Sequence, residues 1–265
     1  MPAVDSRKSL ELLKPAVESL NADVRTLTAD QWQAESSCSG WQVGDLVGHV
    51  VRNGWSMLEY VKRNLAGNAE PPFGPHVQPI QDAIKASGPK AAAERQAREL
   101  EEFIALYASL SDGQLRQTST GHPSGEHPLS WPATQRLLEV AYHHWDLKAS
   151  LGANGPMDHQ LAAYLLAFVF DPSGRPAIGL PAPAKDAQPE TFQLRSATDG
   201  RIWRVTAGPH GLMPESGEGP ASATVEAEAG WLTLAVYGRA NIREPSFTWS
   251  GSADAIARFA TVFGD

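Results

Sequence analysis

The sequence predicts an α+β protein in two parts: a bundle of long helices, then a small antiparallel-sheet α+β domain. Apolar residues recur near a 3.6-residue period through most of the first 170 positions. A Pro-rich stretch at 171–190, "DPSGRPAIGLPAPAKDAQPE", then breaks all periodicity. Beyond it the segments are short and alternating, rich in β-branched and aromatic residues. The expected organisation is therefore a bundle over 1–170, a linker over 171–190 and a second domain over 191–265.

The elements follow in order. Residues 6–29 place Leu10, Leu13, Val17, Leu20 and Val24 on one helical stripe. "SSCSGWQVGD" interrupts it, and 43–66 resumes with Val43, Val47, Val50, Met57, Val61 and Leu65. Residues 78–110 read as a third long helix, weakened near Gly88-Pro89. A polar stretch, "SDGQLRQTSTGHPSGEHP", reads as a loop. Residues 133–151 form the fourth helix, with Trp131-Pro132 at its entry. "HQLAAYLLAFVF" is a short fifth segment, apolar nearly all round. Helices joined by short connections suggest an antiparallel bundle. In the second part, "TFQLRSA", "IWRVTAG", "ASATVEAE", "WLTLAVYG" and "SFTWSGS" read as strands, with "TDGR" as a hairpin turn. "SADAIARFATVFG" closes the chain as a helix, with Ser252 as its N-cap.

Bulk properties narrow the function. The chain has 265 residues and a formal net charge of −8, with no clustered Lys/Arg block, which argues against a nucleic-acid partner. Cys38 is the sole cysteine, so no intrachain disulfide forms. The N-terminus has no apolar signal-like core, and no run reaches 18 apolar residues, so no membrane span is expected. The expected location is the cytoplasm.

The stretch "LLEVAYHHWDLKASLG", 137–152, carries the chemistry. Successive helix residues rotate by about 100°. Glu139 and His143 are i, i+4 and share a face, and Asp146 falls on it too, whereas His144 points well away. Most of the remaining circumference is apolar, so this narrow polar stripe suits a bundle interior better than solvent. Two ligands one turn apart can hold one divalent metal, and zinc accepts histidine nitrogen and carboxylate oxygen at roughly 2.0–2.2 Å. A third ligand must then come from another helix. His49, in a lane with Asn53 and Tyr60 beside the apolar stripe of the second helix, is the candidate. Spacing alone favours a helix-surface Glu-x3-His pair and a hydrogen-bonded or surface histidine over a metal site.

"SGWQVGDLVGHV" followed about ninety residues later by "EVAYHHWDL" resembles the mycothiol-dependent maleylpyruvate isomerase family. That family's N-terminal domain is similar to DinB-like metal-binding four-helix bundles. The matching residues are Gly40, Trp41, Asp45, Leu46 and His49, then Glu139, His143 and Asp146. "GRIWRV" and "WLTLAVYGR" resemble its small sterol-carrier-like second domain. The resemblance implies a divalent metal, zinc foremost, held by His49, Glu139 and His143. It also implies mycothiol as thiol cosubstrate and a small-molecule substrate. Asp146 would orient a ligand, and Arg239 would hold a substrate carboxylate through its planar fork. These two are the candidate catalytic residues.

The activity implied is isomerisation of a maleylpyruvate-like compound or thiol S-transfer. Two alternatives stand beside it: a metal-dependent hydrolase using metal-bound water, and a non-catalytic protein binding a small apolar ligand. Several residues are set aside. His122 and His127 read as solvated loop, Cys38 as structural with no histidine adjoining it, and Trp55 and Trp145 as bundle filling.

Overall fold

The computed structural model describes residues 5–68, 70–170, 188–209 and 211–263. It divides into two compact units, one ending at Asn154 and the other beginning at Gly155. Most of the expected linker lies outside the described residues.

The first unit starts with α1 (Ser6–Thr26), capped by the Asp5 carboxylate accepting from the Arg7 and Lys8 amides. A short α2 (Ala29–Gln33) follows, closed by a Thr28/Gln31 capping box. α3 (Val43–Leu65) begins where the Asp45 carboxylate reaches back to the Gln42 amide at 3.0 Å. The expected third long helix is two: α4 (Gln78–Ser87) and α5 (Pro89–Ser109). Gly88, at φ +82°, ends the first in a conformation that favours glycine, and Pro89 starts the second. α6 (Asp112–Leu115) precedes a hairpin of β1 (Thr118–His122) and β2 (Gly125–Pro128). This hairpin replaces the expected solvated loop. It leads straight into α7 (Trp131–Ser150), with Pro132 in its first turn.

α1 and α3 each pack on both α5 and α7, which makes a four-helix bundle. Its core is Leu13, Val17, Leu20, Leu46, Val50, Phe103, Leu137 and neighbours, all buried. One charged side chain lies among them. Arg136 is only 1% exposed, and its three guanidinium nitrogens find no hydrogen-bond partner among the described residues. The guanidinium carbon sits 5.1 Å from the Phe103 ring centroid. On another side it meets the backbone of Gly54, where an added Cβ would come within 2.5–2.6 Å of the guanidinium. Burial lowers its pKa to about 10, against the opposing charge of Glu99.

The second unit holds α8 (His159–Val169), β3 (Glu190–Ser196), β4 (Ile202–Gly208), β5 (Gly211–Ser216), β6 (Ala223–Ala227), α9 (Ala229–Val236), β7 (Thr248–Gly251) and α10 (Ala253–Phe263). The sheet order is β5-β4-β3-β6-β7. Three pairings are antiparallel and one, β3 with β6, is parallel. α9 packs against β3 and β6, and α10 against β6 and β7. Ser252 caps α10, its hydroxyl accepting from the Ala255 amide at 3.1 Å.

Three expectations differ here. "WLTLAVYG", expected as a strand, belongs to α9: a short run apolar on every side carries neither period, and burial against the sheet decides it. β5 has little strand signal in its sequence; its Pro214 is tolerated because β5 is an edge. α8 packs on α9 rather than in the bundle. Gly230 of α9 leaves no room for a Cβ beneath the Met157 carbonyl, and its amide donates to His159 Nδ1 at 3.3 Å.

Candidate metal centre

α3 and α7 run side by side in the first unit, and each lends side chains to one spot. His49 Nε2 lies 3.4 Å from Glu139 Oε2, and His143 Nε2 lies 3.4 Å from the same oxygen. All three ligand atoms are within 4.8 Å of one another. For a charge-assisted hydrogen bond 3.4 Å is long. It is also about the edge of a tetrahedron whose centre holds bonds of about 2.1 Å, the zinc–nitrogen and zinc–oxygen length.

The outer atoms of these groups are occupied, which leaves the inner ones aimed at a common point. Glu139 Oε1 accepts from the Gln135 amide at 3.2 Å. His143 Nδ1 donates to Asp146 Oδ2 at 2.8 Å, the carboxylate–imidazole arrangement that orients a ligating histidine. Asp146 is 2% exposed, and its Oδ2 also accepts from Cys38 Sγ at 3.3 Å. Cys38, His143 and Asp146 thus form a second close group. It uses the other nitrogen of His143, so it reads as support for the first. Trp41 covers the site from one side, its ring centroid 4.9 Å from that of His49 and 6.4 Å from that of His143. His49 Nδ1 accepts from Arg52 Nη2 at 2.9 Å.

The electrostatics match. Burial works to raise the Glu139 pKa, but hydrogen bonds from His143 and His49 win and hold it well below the usual carboxylate range. Burial works to lower His143, but Asp146, Cys38 and Glu139 overcome it and hold it well above 6.5. His49 is pulled down, chiefly by burial. Without a cation, these shifts favour a proton on His143, beside the Glu139 carboxylate, over one on His49.

A pH dependence follows. The His143 value is raised, so its contribution to metal-free stability is complete below the ordinary 6.5 and is lost as pH rises through the folded value. Glu139 is depressed, so its contribution is present above the ordinary 4.5 and is lost as pH falls through the folded value. A cation on His143 Nε2 competes with the proton there. Cation affinity, measured by chelator competition, should therefore rise with pH until the His143 value is passed. An affinity that is flat or falls with pH would rule this out.

The other sequence candidates lie as follows. His144 turns to α1 and pairs with Asp23 at 2.7 Å. Arg239 lies just beyond α9 in the second unit, where its Nη1 donates to the Tyr237 carbonyl at 3.2 Å. Cys38, expected to stand apart from histidine, is beside His143; a contact over 108 residues to Asp146 leaves no local signal. His122 and His127, expected in solvent, are buried in the β1–β2 hairpin. Ser124 Oγ sits between them, 2.8 Å from His122 Nδ1 and 2.6 Å from His127 Nε2, and His127 stacks on Trp131 at 3.9 Å. Burial, with His127 beside it, lowers His122 to about 4. Gln135 and Arg52 were not singled out from sequence. Their i−4 and i+3 spacings from Glu139 and His49 are the signal that finds them.

A four-helix bundle with two histidines and a carboxylate converging between facing helices defines a protein with a candidate metal centre in its helical unit. Residues 13–148 match the mycothiol maleylpyruvate isomerase N-terminal domain, and the chain belongs to that family. Two uncharacterized proteins of Mycobacterium tuberculosis, from strains CDC 1551 and H37Rv, are each 32% identical to it over 152 residues, covering 57% of this chain and 70% of theirs. The crystal structure of the mycothiol-dependent maleylpyruvate isomerase superposes with a TM-score of 0.66 at 16% identity, covering 93% of each chain. A variant of that protein with one histidine changed to alanine gives the same values. At that identity the likeness is one of fold. No helix among the described residues is long and apolar enough to cross a membrane.

Proposed function

We propose that His49, Glu139 and His143 hold a divalent cation, zinc foremost, and that the protein is an enzyme of low-molecular-weight thiol chemistry. The convergence of three ligand atoms from α3 and α7 carries this reading. Family membership, and the mycothiol-dependent isomerase of the same fold, point to mycothiol as the thiol and to a maleylpyruvate-like compound as the substrate. Thiol S-transfer is the related alternative, and the cytoplasm, where such thiols stay reduced, is the setting.

When bound, the cation lowers the pKa of a thiol placed on it, so that thiolate is present near neutral pH. This chain supplies the rest. Glu139 brings the negative charge that the two neutral imidazoles lack. Asp146 fixes the His143 ring and its Nδ1–H tautomer, which directs Nε2 inward. Trp41 shields the histidine rings from water on one side. Arg239, brought forward by the resemblance, is the candidate for a substrate carboxylate, a group its planar fork suits.

The test is isomerisation of maleylpyruvate by zinc-loaded protein, with and without mycothiol. Turnover should need the thiol and fall by at least about a hundredfold in His143→Ala, as expected for loss of a metal-ligand or catalytic group. Cleavage of the substrate with uptake of water, in place of isomerisation and without any thiol, would point instead to a hydrolase using metal-bound water. Zinc-loaded protein with no turnover on any thiol would overturn the reading.

A further inference from the structure

Arg52 lies one turn beyond His49 on α3, half-buried, with Nη2 2.9 Å from His49 Nδ1. A guanidinium is only ever a donor. His49 Nδ1 must therefore accept, and the ring proton must sit on Nε2, the nitrogen that faces Glu139. A cation taken by Nε2 needs the opposite arrangement, with the lone pair on Nε2 and the proton on Nδ1. That proton would then point at the Arg52 N–H across 2.9 Å, two donors facing each other. The two states of His49 cannot share one position of Arg52.

We propose that Arg52 gates cation loading. In the metal-free protein it holds His49 in the tautomer that cannot ligate through Nε2, and loading swings it off the ring. His143 is prepared differently: its outer partner, Asp146, is an acceptor and keeps a proton on Nδ1, so Nε2 ligates once its own proton leaves, with no outer partner displaced. The two histidines are thus prepared in opposite senses by their outer partners, and His49 is the one whose outer partner must move. In the metal-free arrangement the guanidinium lies close enough to Glu139 for the carboxylate to influence it. This inference rests on the cation reading above.

The experiment compares wild type, Arg52→Met and His49→Ala by zinc competition against a chromophoric chelator, with the ring nitrogens of metal-free wild type assigned by 15N NMR. Arg52→Met should bind zinc about tenfold tighter, because the bond broken on loading is absent from its metal-free state. His49 should show Nε2–H before zinc and Nδ1–H after it. Arg52→Met affinity equal to or weaker than wild type, or Nδ1–H in the metal-free ring, would overturn the gate and leave the cation reading standing. Zinc binding equal in wild type and His49→Ala would overturn both.

Discussion

Glu139→Ala protein should keep its helical content and lose stoichiometric zinc, with His49→Ala doing the same from the other helix. Each change removes one of three ligands, and in Glu139→Ala the only charged one. What remains is two neutral nitrogens, a set that holds zinc at least about a hundredfold more weakly if loss of even an outer partner costs 10–100-fold. Elemental analysis of the purified variants, alongside their circular dichroism, reads the result. Zinc retained in both would place any cation elsewhere. The conservative Glu139→Gln separates charge from shape: it keeps the side-chain volume and an oxygen for the Gln135 amide, and should still bind far more weakly than wild type. His143 should then lose part of its upward shift, since Glu139 is one of the groups that hold it there.

The second large effect is expected in the core of the same bundle. Gly54→Ala drives a methyl group to 2.5–2.6 Å from the Arg136 guanidinium, which has Phe103 on another side. Overpacking of this kind costs roughly 1–3 kcal/mol. Arg136→Met should behave in the opposite sense. It removes a fully buried charge that has no hydrogen-bond partner among the described residues, so it is expected to be neutral or stabilising by about 1–4 kcal/mol. In the Arg136→Met background Gly54→Ala should then cost little, a coupling of at least about 1 kcal/mol by urea denaturation of the four proteins. Strict additivity would show that the methyl group is accommodated some other way.

The sequence made the long helices legible because each carries its apolar stripe over five or more turns, as α3 and α7 do. It failed where the segment is short or its environment is uniform. α9 is apolar all round, so only packing on the sheet tells helix from strand. The β1–β2 hairpin is a short, polar-looking stretch whose two histidines are buried by contacts with Trp131 and Phe73 from outside it. The site divides in the same way. Glu139, His143 and Asp146 are visible as one helical face. His49 could be named as the candidate third ligand from its lane on α3, but the periodicity allowed that place without requiring it, because nothing in its own helix says what lies opposite. The place of Cys38 beside Asp146 depends wholly on the fold.

The packing of α8 on α9, close against Gly230, bears on where the chain can be divided. Hydropathy suggests a joint near residue 170, after the last apolar helix. A chain divided there would carry α8 away from α9 and strip both of the apolar surface they cover for each other. Division between Asn154 and Gly155 keeps α8 and α9 together. The family match ends at residue 148, just short of that point. A cut at this junction, and not at 170, is therefore the one that keeps α8 with the helix it covers when the bundle is produced as a separate piece.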